Sequence, residues 1–481
     1  MKRLVSLLLT LTLMLSLGVP AMAANEAPAV GVNLNGANIT FTDAAPEITD
    51  NRTMVPYRAL MEALGGEVDY RAEDRTVLCL LNGAELRFRI GEDTVTVVKG
   101  ETTETVQMDT VCYLKNDRTY VPVRFFAQAF GYDVMWDAQA RCAVLADRAA
   151  VIESIDSQFT LLNGALAQQP KLDSQKNYRV KLNGALEVKL EVEGAKHNSV
   201  MTVAADMLSG QGVAEGTLTA DLSRMIPAEL VEEDASVAEA VALLKNLTMD
   251  LRADLATGKL YVKNSLLDAM LKQEAGTWYL VNLEELGYTA EMRAELAEAM
   301  NKNDGVSTVG AALYETCYEL AKQGGIAPSQ LCPQAIAVGS LLSAVLGDGN
   351  AKVSGKTVSW DFDKEKWNAI LGSESGDELF QSLDCRLSMT AGGKTELVVK
   401  ADMESMAVDC RASGTATDAE FALTMGLDDQ GTILLNGRMT LTETTAQPKA
   451  VPGEGETVMD ITGIFQDMMG GLGYIELPVA E

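Results

Sequence analysis

A seven-residue motif occurs twice in this chain. "RTMVPYR" at Arg52–Arg58 returns as "RTYVPVR" at Arg118–Arg124, 66 positions later. In both copies an apolar stretch at helical spacing, a glycine and two strand-like stretches follow the motif. The duplication predicts two equivalent strand–helix–strand units in one domain, because each unit alone has too few apolar residues for a core.

Each copy contains residues that set the ends of its helix. Pro56 and Pro122 are expected at the first helical position, where the missing N–H of proline costs no hydrogen bond. Gly65 and Gly131 are expected to end the helices in the left-handed conformation.

Arginines are repeated at the two ends of the motif, as Arg52 and Arg58 and as Arg118 and Arg124. A guanidinium close to a helix start can cap carbonyl groups or pair with nearby carboxylates, which favours a structural role. Binding of a glycan or an anion by Arg58 and Arg124 is the alternative.

Three stretches carry a family resemblance: "VNLNGANITF", "DNRTMVPYRALMEALGGEVDY" and "NDRTYVPVRFFAQAFGYDVMWD". They resemble the copper amine oxidase N-terminal-like domain, or stalk domain, of secreted bacterial envelope proteins, over residues 31–147. The resemblance implies an antiparallel sheet with short helices and a role in presenting or anchoring other domains. The family often has a glycine where this chain has Asp117.

The family name does not imply copper chemistry in this chain. A catalytic copper ion needs several imidazole ligands, and the chain has one histidine, His197, in a stretch that reads as a polar turn between strands. We therefore predict no metal site, no cofactor and no catalytic residue of the oxidase type.

The first residues have the pattern of a secretory signal peptide. A basic pair, Lys2 and Arg3, precedes an apolar stretch, and small residues at 21–23 suit cleavage. Residues 1–23 are predicted to be removed, so the protein is expected to be secreted or at the cell surface. "AIAVGSLLSAVL" is too short to span a bilayer, so no transmembrane segment is expected in the mature chain.

Composition limits the partners and the covalent chemistry. The 481 residues predict two or three domains, and a net charge of −29 argues against binding nucleic acid. Seven cysteines leave at least one thiol unpaired. Pairing of Cys317 with Cys332, and of Cys385 with Cys410, is left open by the sequence.

The rest of the chain predicts a helix and linker at 148–176 and an antiparallel α+β domain at 177–481. The overall class is α+β: a duplicated module, then a large antiparallel sheet region with a helical insert at Val306–Gln323 and Ser329–Leu346. Asn183-Gly184 predicts a hairpin turn. We expect the sheet to curl around these helices and pack on them; an apolar hollow is the alternative.

A second, weaker resemblance lies at Gly258–Leu286, "GKLYVKNSLLDAMLKQEAGTWYLVNLEEL". It is similar to the lipoprotein-carrier fold of LolA-like and LppX-like proteins, in which a curved antiparallel sheet and helices surround an apolar hollow. Trp278 and Tyr279 are adjacent, so they are expected on opposite faces of a strand, where one could line an interior.

No catalytic constellation stands out. The acidic pairs Asp361 and Asp363, Glu284 and Glu285, and Asp428 and Asp429 are typical of solvated faces in an acidic chain. The sequence favours a non-enzymatic protein whose stalk module presents a C-terminal binding or scaffold region to a cell-wall glycan or another envelope protein. A carrier of a lipid or other apolar ligand is the alternative, and a hydrolase the third.

The signal pattern leads to a prediction about processing. Mass spectrometry of exported protein should find a mature N-terminus within a few residues of Ala24, because the small residues at 21–23 suit the peptidase. Recovery of the intact Met1 chain from the membrane would contradict it.

Overall fold

The structure is a computed structural model that describes residues 29–170, 172–173, 175–192, 195–226, 237, 241–242, 244–294, 307–371 and 380–471. The chain forms two compact units. The first contains Met1–Asn163 and Ser307–Gly349, and the second contains Gly164–Val306 and Asn350–Glu481. The predicted signal peptide, residues 1–23, lies outside the described residues.

The duplicated module occupies most of the first unit. Its elements are β1 Gly31–Leu34, β2 Ala37–Asn38, β3 Glu47–Thr49, β4 Arg52–Pro56, α1 Tyr57–Ala63, β5 Glu67–Arg71, β6 Thr76–Leu81, β7 Ala84–Arg89, β8 Thr94–Lys99, β9 Thr102–Gln107, β10 Tyr113–Lys115, β11 Arg118–Pro122, α2 Val123–Ala129, β12 Asp133–Asp137 and β13 Cys142–Ala146. They form sheets in the orders β12-β13-β1-β2, β10-β11-β4-β3 and β5-β6-β7-β8-β9.

The two copies of the motif pair with each other. β4 and β11 run antiparallel, and Val55 lies opposite Val121, its own counterpart in the repeat. Because equivalent residues meet there, a local two-fold axis passes between the two valines. Both side chains are fully buried in the core of the module.

The axis also relates two ion pairs. Arg52 binds Asp109 and Arg118 binds Asp43, both at 2.5 Å, and the two aspartates are themselves 66 residues apart. The first arginine of each motif thus pairs with a carboxylate from the other copy. The pairs are half-exposed and contribute about 0.2–1 kcal/mol each.

The turn before each motif strand uses left-handed residues. Asn51 has φ 60° and Asp117 has φ 59°. Asparagine and aspartate tolerate this conformation better than other side chains. Asp117 therefore makes this turn without a glycine.

The predicted helix boundaries are close to those observed. Pro56 and Pro122 are the last residues of β4 and β11 and the N-caps of α1 and α2, so each helix begins one residue later than predicted. Gly65 and Gly131 follow the helices with φ 79° and 89°, as predicted. Between the helices lies Phe88, whose ring meets those of Tyr57 and Phe126 edge-on.

Three helices complete the first unit: α3 Arg148–Asp156, then α6 Val309–Lys322 and α7 Leu331–Leu346 from much later in the chain. The first and last residues of β12 accept hydrogen bonds from the segment that contains α6 and α7. The hydroxyl of Tyr314 donates to Asp133 at 2.8 Å, and the hydroxyl and backbone N–H of Ser329 donate to Asp137 at 2.6 and 3.2 Å.

These contacts change the expected division of the chain. The helices predicted at Val306–Gln323 and Ser329–Leu346 form as α6 and α7, but they pack on α3 in the first unit. The helices therefore belong to the first unit and are not part of the sheet unit. The sequence had assigned them to a continuous domain at 177–481, because periodicity shows that a helix is amphipathic but not which surface it covers.

One stretch of the described residues, Pro328–Asn350, is long and apolar enough to cross a membrane, with mean hydropathy 1.4. Core helices of soluble proteins share this length and composition. The buried residues of α7 are Leu331, Cys332, Ala335, Val338 and Gly339.

The second unit is built on one sheet. Helix α4, Thr160–Ala167, contains the sequence boundary between the two units. The other elements of the sheet unit are β14 Asn177–Val192, β15 Ala195–Gly210, β16 Val213–Asp221, β17 Leu247–Asp254, β18 Lys259–Asn264, α5 Ser265–Met270, β19 Trp278–Asn282, β20 Ala351–Ser354, β21 Thr357–Asp363, α8 Lys364–Leu371, β22 Ser382–Thr390, β23 Thr395–Asp402, β24 Ala407–Gly414, β25 Asp418–Leu427, β26 Gly431–Thr444, β27 Val458–Asp460 and α9 Thr462–Gly471. In the described part the strand order is β20 to β26, then β14 to β19, then β27.

The predicted hairpin at Asn183-Gly184 is wrong. Both residues lie in the middle of β14, paired with β15 on one side and β26 on the other. The alternation of apolar and polar residues continues through them without a break, and this longer pattern outweighs the local turn preference. His197 likewise lies in β15, opposite Leu190, and is exposed.

Replacement of Gly131 by valine should destabilise the first unit by about 1 kcal/mol or more, because a β-branched residue resists φ 89°. No neighbouring atom lies within 4 Å of an added Cβ, so the loss of folding free energy measures backbone strain and not a steric clash. Chemical denaturation of both variants, with Gln128→Val on the exposed side of α2 as control, measures the difference. Equal stability of the two variants would show that Gly131 is not the helix stop.

Candidate functional site

The sheet of the second unit carries mainly apolar side chains on one face and mainly polar side chains on the other. Neighbouring strands pair in continuous register, so residues opposite each other share a face. Gly184, Val203 and Gly437 lie on one face, and Asn183, Ala204 and Arg438 lie on the other. We call these the apolar face and the polar face.

The apolar face is aliphatic over the central eight strands, β23–β26 and β14–β17. Its members include Leu182, Leu186, Val188, Met201, Val203, Met207, Leu218, Met249, Leu251, Leu397, Val399, Phe421, Leu423, Met425, Ile433, Leu435, Met439 and Leu441. Most of these side chains are half-buried, and Phe421 and Met439 are 39% and 38% exposed. Such burial is typical of a single sheet layer with little packed on it.

Short helices cover this face only towards its two ends. On β18 and β19, Leu267 and Leu271 of α5 pack against Tyr279 and its apolar neighbours. On β21, the ring of Trp367 in α8 lies edge-on to Phe362, with centroids 5.9 Å apart. Between these helices the described residues leave a continuous aliphatic surface.

The polar face is concave at the centre of the sheet. A groove of about 940 Å³ crosses it from β17 to β23. Its floor consists of small residues such as Ala185, Ala204 and Ala422, and its sides carry Asn183, Asn436 and charged groups. The small floor residues leave the space that makes the groove.

Trp278 and Tyr279 lie on opposite faces, as predicted, and both are buried. Trp278 lines a smaller cavity of about 300 Å³ on the polar face, between the Arg252 guanidinium and the Lys263 ammonium, 4.6 and 4.7 Å from the ring centre. The hydroxyl of Tyr279 donates to Asp268 at 2.7 Å. Burial and this carboxylate raise the pKa of Tyr279, so it stays neutral.

The segment before β27 closes over Trp278. The backbone N–H of Trp278 donates to the Thr457 carbonyl at 2.9 Å, and Arg252 donates to the Val451 carbonyl at 2.9 Å. The indole N–H of Trp278, the backbone N–H of Gly453 and the charge of Arg252 lower the pKa of Glu456 to about 2. These contacts give Trp278 a packing role.

Two of the acidic pairs considered for a hydrolase contain carboxylates that neighbouring polar groups engage. Lys352 and Arg386 bind Asp361 and lower its pKa, so this carboxyl stays ionised. Glu284 pairs with Arg293, and Glu285 accepts from the Asn282 amide. No cluster of three or more His, Cys, Asp or Glu among the described residues could hold a metal ion.

All seven cysteines are free thiols. Cys385 on β22 and Cys410 on β24 both lie directly opposite Val399 of β23, which runs between them. The two cysteines are therefore about two strand spacings apart, which is too far for a disulfide. Burial raises the pKa of Cys79 and Cys332 to about 12. These thiols are protonated at neutral pH and poorly nucleophilic.

The motif residues line neither of the two cavities described above. Arg52 and Arg118 are engaged in the symmetric ion pairs, and Pro56 and Pro122 are buried in the paired strands. Arg58 and Arg124 are exposed on α1 and α2 and form no ion pair with a described residue.

Comparison with known families identifies the module. Residues 33–145 match the copper amine oxidase N-terminal domain. This confirms the resemblance of the first part of the chain, whose paired repeats are therefore a copper amine oxidase N-terminal-like module. No curated protein matches the chain. The likeness of Gly258–Leu286 to lipoprotein carriers stays a prediction.

Sequence reasoning missed the groove. It used Asn183-Gly184 as a turn signal, whereas Asn183 and Asn436 are exposed polar-face residues in neighbouring strands. The uninterrupted alternation from Tyr178 to Val192 is the signal that could have revealed this.

The lowered pKa of Glu456 predicts a pH dependence. Its contribution to stability is present above pH 4.5 and is lost as the pH falls towards 2, because the folded protein holds the charged form. Glu456→Gln should lower the melting temperature of the second unit at pH 7, with a shrinking effect between pH 4.5 and 2. Glu454→Gln, an exposed neighbour, is the control; an effect of Glu456→Gln that is the same at all pH values would refute the assignment.

Proposed function

We propose that this protein is an exported, non-catalytic envelope protein whose stalk module presents the sheet unit, and that the sheet unit binds the acyl chains of a lipid. The observation that carries the proposal is the aliphatic face across the central eight strands, covered by described helices only near its ends. An apolar surface of this extent needs an apolar partner, since single-chain soluble proteins seldom leave more than about 600 Å² exposed in one patch.

The composition of the face favours acyl chains over a protein partner. Protein interfaces are enriched in Trp, Tyr and Arg at their centres. The central face is instead built mainly from Leu, Val, Met, Ile and Ala, with Phe421 and, at the start of β14, Tyr178 as aromatic residues. Methionine side chains adapt to irregular apolar ligands.

The absence of catalysis is supported by the state of the ionisable groups. Asp361 is held charged by two cations, and buried cysteines are held protonated. Export is supported by the signal-peptide pattern and by the stalk-type module, whose relatives occur in secreted envelope proteins.

The sheet offers a matched pair of variants. Leu435 and Leu434 are consecutive in β26, both half-buried, on the apolar and polar faces respectively. Leu435→Glu should weaken binding of cis-parinaric acid at least tenfold, because a charge next to the chain must lose its water. Leu434→Glu should leave the affinity within twofold. Fluorescence titration of the full exported chain measures both.

Two outcomes would refute lipid binding. One is equal affinity of the two variants together with no fatty acid or lipid in an organic extract of the purified protein. The other is a stable dimer by native mass spectrometry that Leu435→Glu converts to a lipid-free monomer, since the apolar face would then bind a second copy of the chain.

A further inference from the structure

The groove on the polar face lies on the side of the sheet opposite the aliphatic surface. Its lining includes Asp221, Lys245, Glu396, Arg411, Glu420 and Arg438. These are three acidic and three basic groups, so the groove is balanced in charge although the chain carries −29. A neutral ligand fits this balance better than a polyanion or a polycation.

The groove presents hydrogen-bonding groups in rows across the strands. Asn183, Arg438 and Glu420 are directly opposite one another on β14, β26 and β25. Strands lie about 4.8 Å apart, so the row offers one polar group at each strand spacing. This spacing is close to the length that one sugar ring adds to an extended glycan.

The arginines are held in fixed positions and keep donors free for a ligand. Arg438 binds both oxygens of Asp418, through Nε at 2.9 Å and Nη2 at 2.6 Å. Arg411 binds Asp409 in the same way, at 3.2 and 3.3 Å. A guanidinium has five N–H donors, so each retains N–H groups for hydroxyl oxygens.

An extended peptide is a poorer fit. Peptides usually join a sheet at an edge, through free backbone groups. The strands under the groove are central, with their backbone groups used by neighbours on both sides.

From this charge balance, spacing and shape we infer that the groove binds a neutral glycan chain lying across the strands. Sugar hydroxyls would accept from the arginines and the amides of Asn183 and Asn436, and donate to Glu420 and Glu396. The stalk module takes no part in this site.

The test uses the full exported chain and two soluble neutral probes, chitohexaose and cellohexaose, in calorimetric titrations. Asn436→Trp places a bulky ring in the groove and should weaken binding at least tenfold. Thr442→Trp, exposed on the same strand and the same face but outside the groove, should change it less than twofold. Neither variant should alter binding of cis-parinaric acid, since both lie on the polar face.

A second variant keeps the test decisive if Asn436→Trp does not fold. Asn183→Ala removes an exposed amide and should weaken neutral-glycan binding several-fold, with an unchanged melting temperature. The inference fails if neither probe binds, if Thr442→Trp weakens binding as much as Asn436→Trp, or if an anionic oligogalacturonate binds more tightly than both neutral probes. Loss of acyl binding alone would refute only the proposed function.

Discussion

The pairing of β4 with β11 is the contact on which the first unit depends. It joins the two copies at Val55 and Val121, buries both valines, and brings the first arginine of each motif to a carboxylate of the other copy. It also sets the two helices on either side of Phe88. In a single copy, one edge of the motif strand would keep unpaired backbone N–H and C=O groups, and pairing with the second copy supplies their hydrogen-bond partners.

The same arrangement extends beyond the module. β12 follows the second helix, and its terminal carboxylates, Asp133 and Asp137, accept hydrogen bonds from Tyr314 and Ser329. Residues almost two hundred positions later in the chain are thereby held in the first unit. Gly36 takes part through its missing side chain, because an added Cβ would lie 2.3 Å from Pro333.

The second unit is governed by a different constraint, the period of two in a β-strand. Over long strands, consistent alternation gives one aliphatic and one polar face, and a shift of register by one residue would exchange them. In the sequence, strands β14 to β19 precede α6 and α7, and strands β20 to β26 follow them. The two halves of the sheet meet where β14 pairs with β26. Many of the sheet's contacts are therefore distant in sequence, which predicts slow folding of this unit.

The sequence alone determined the features that local chemistry controls. The repeat, the proline and glycine boundaries of its helices, the positions of α6 and α7, and the opposite faces of Trp278 and Tyr279 all follow from spacing and residue type.

Only the tertiary structure decided which surfaces meet. The pattern of α6 and α7 gives an apolar side but no partner, and the partner proved to be the first unit rather than the sheet. Asn183-Gly184 favours a turn in isolation, yet pairing on both sides keeps it extended. The groove depends on residues that lie about 250 positions apart in the chain, such as Asn183 and Asn436, and nothing local in the sequence joins them. Long-range pairing, which carries no local signature, therefore created both candidate binding surfaces.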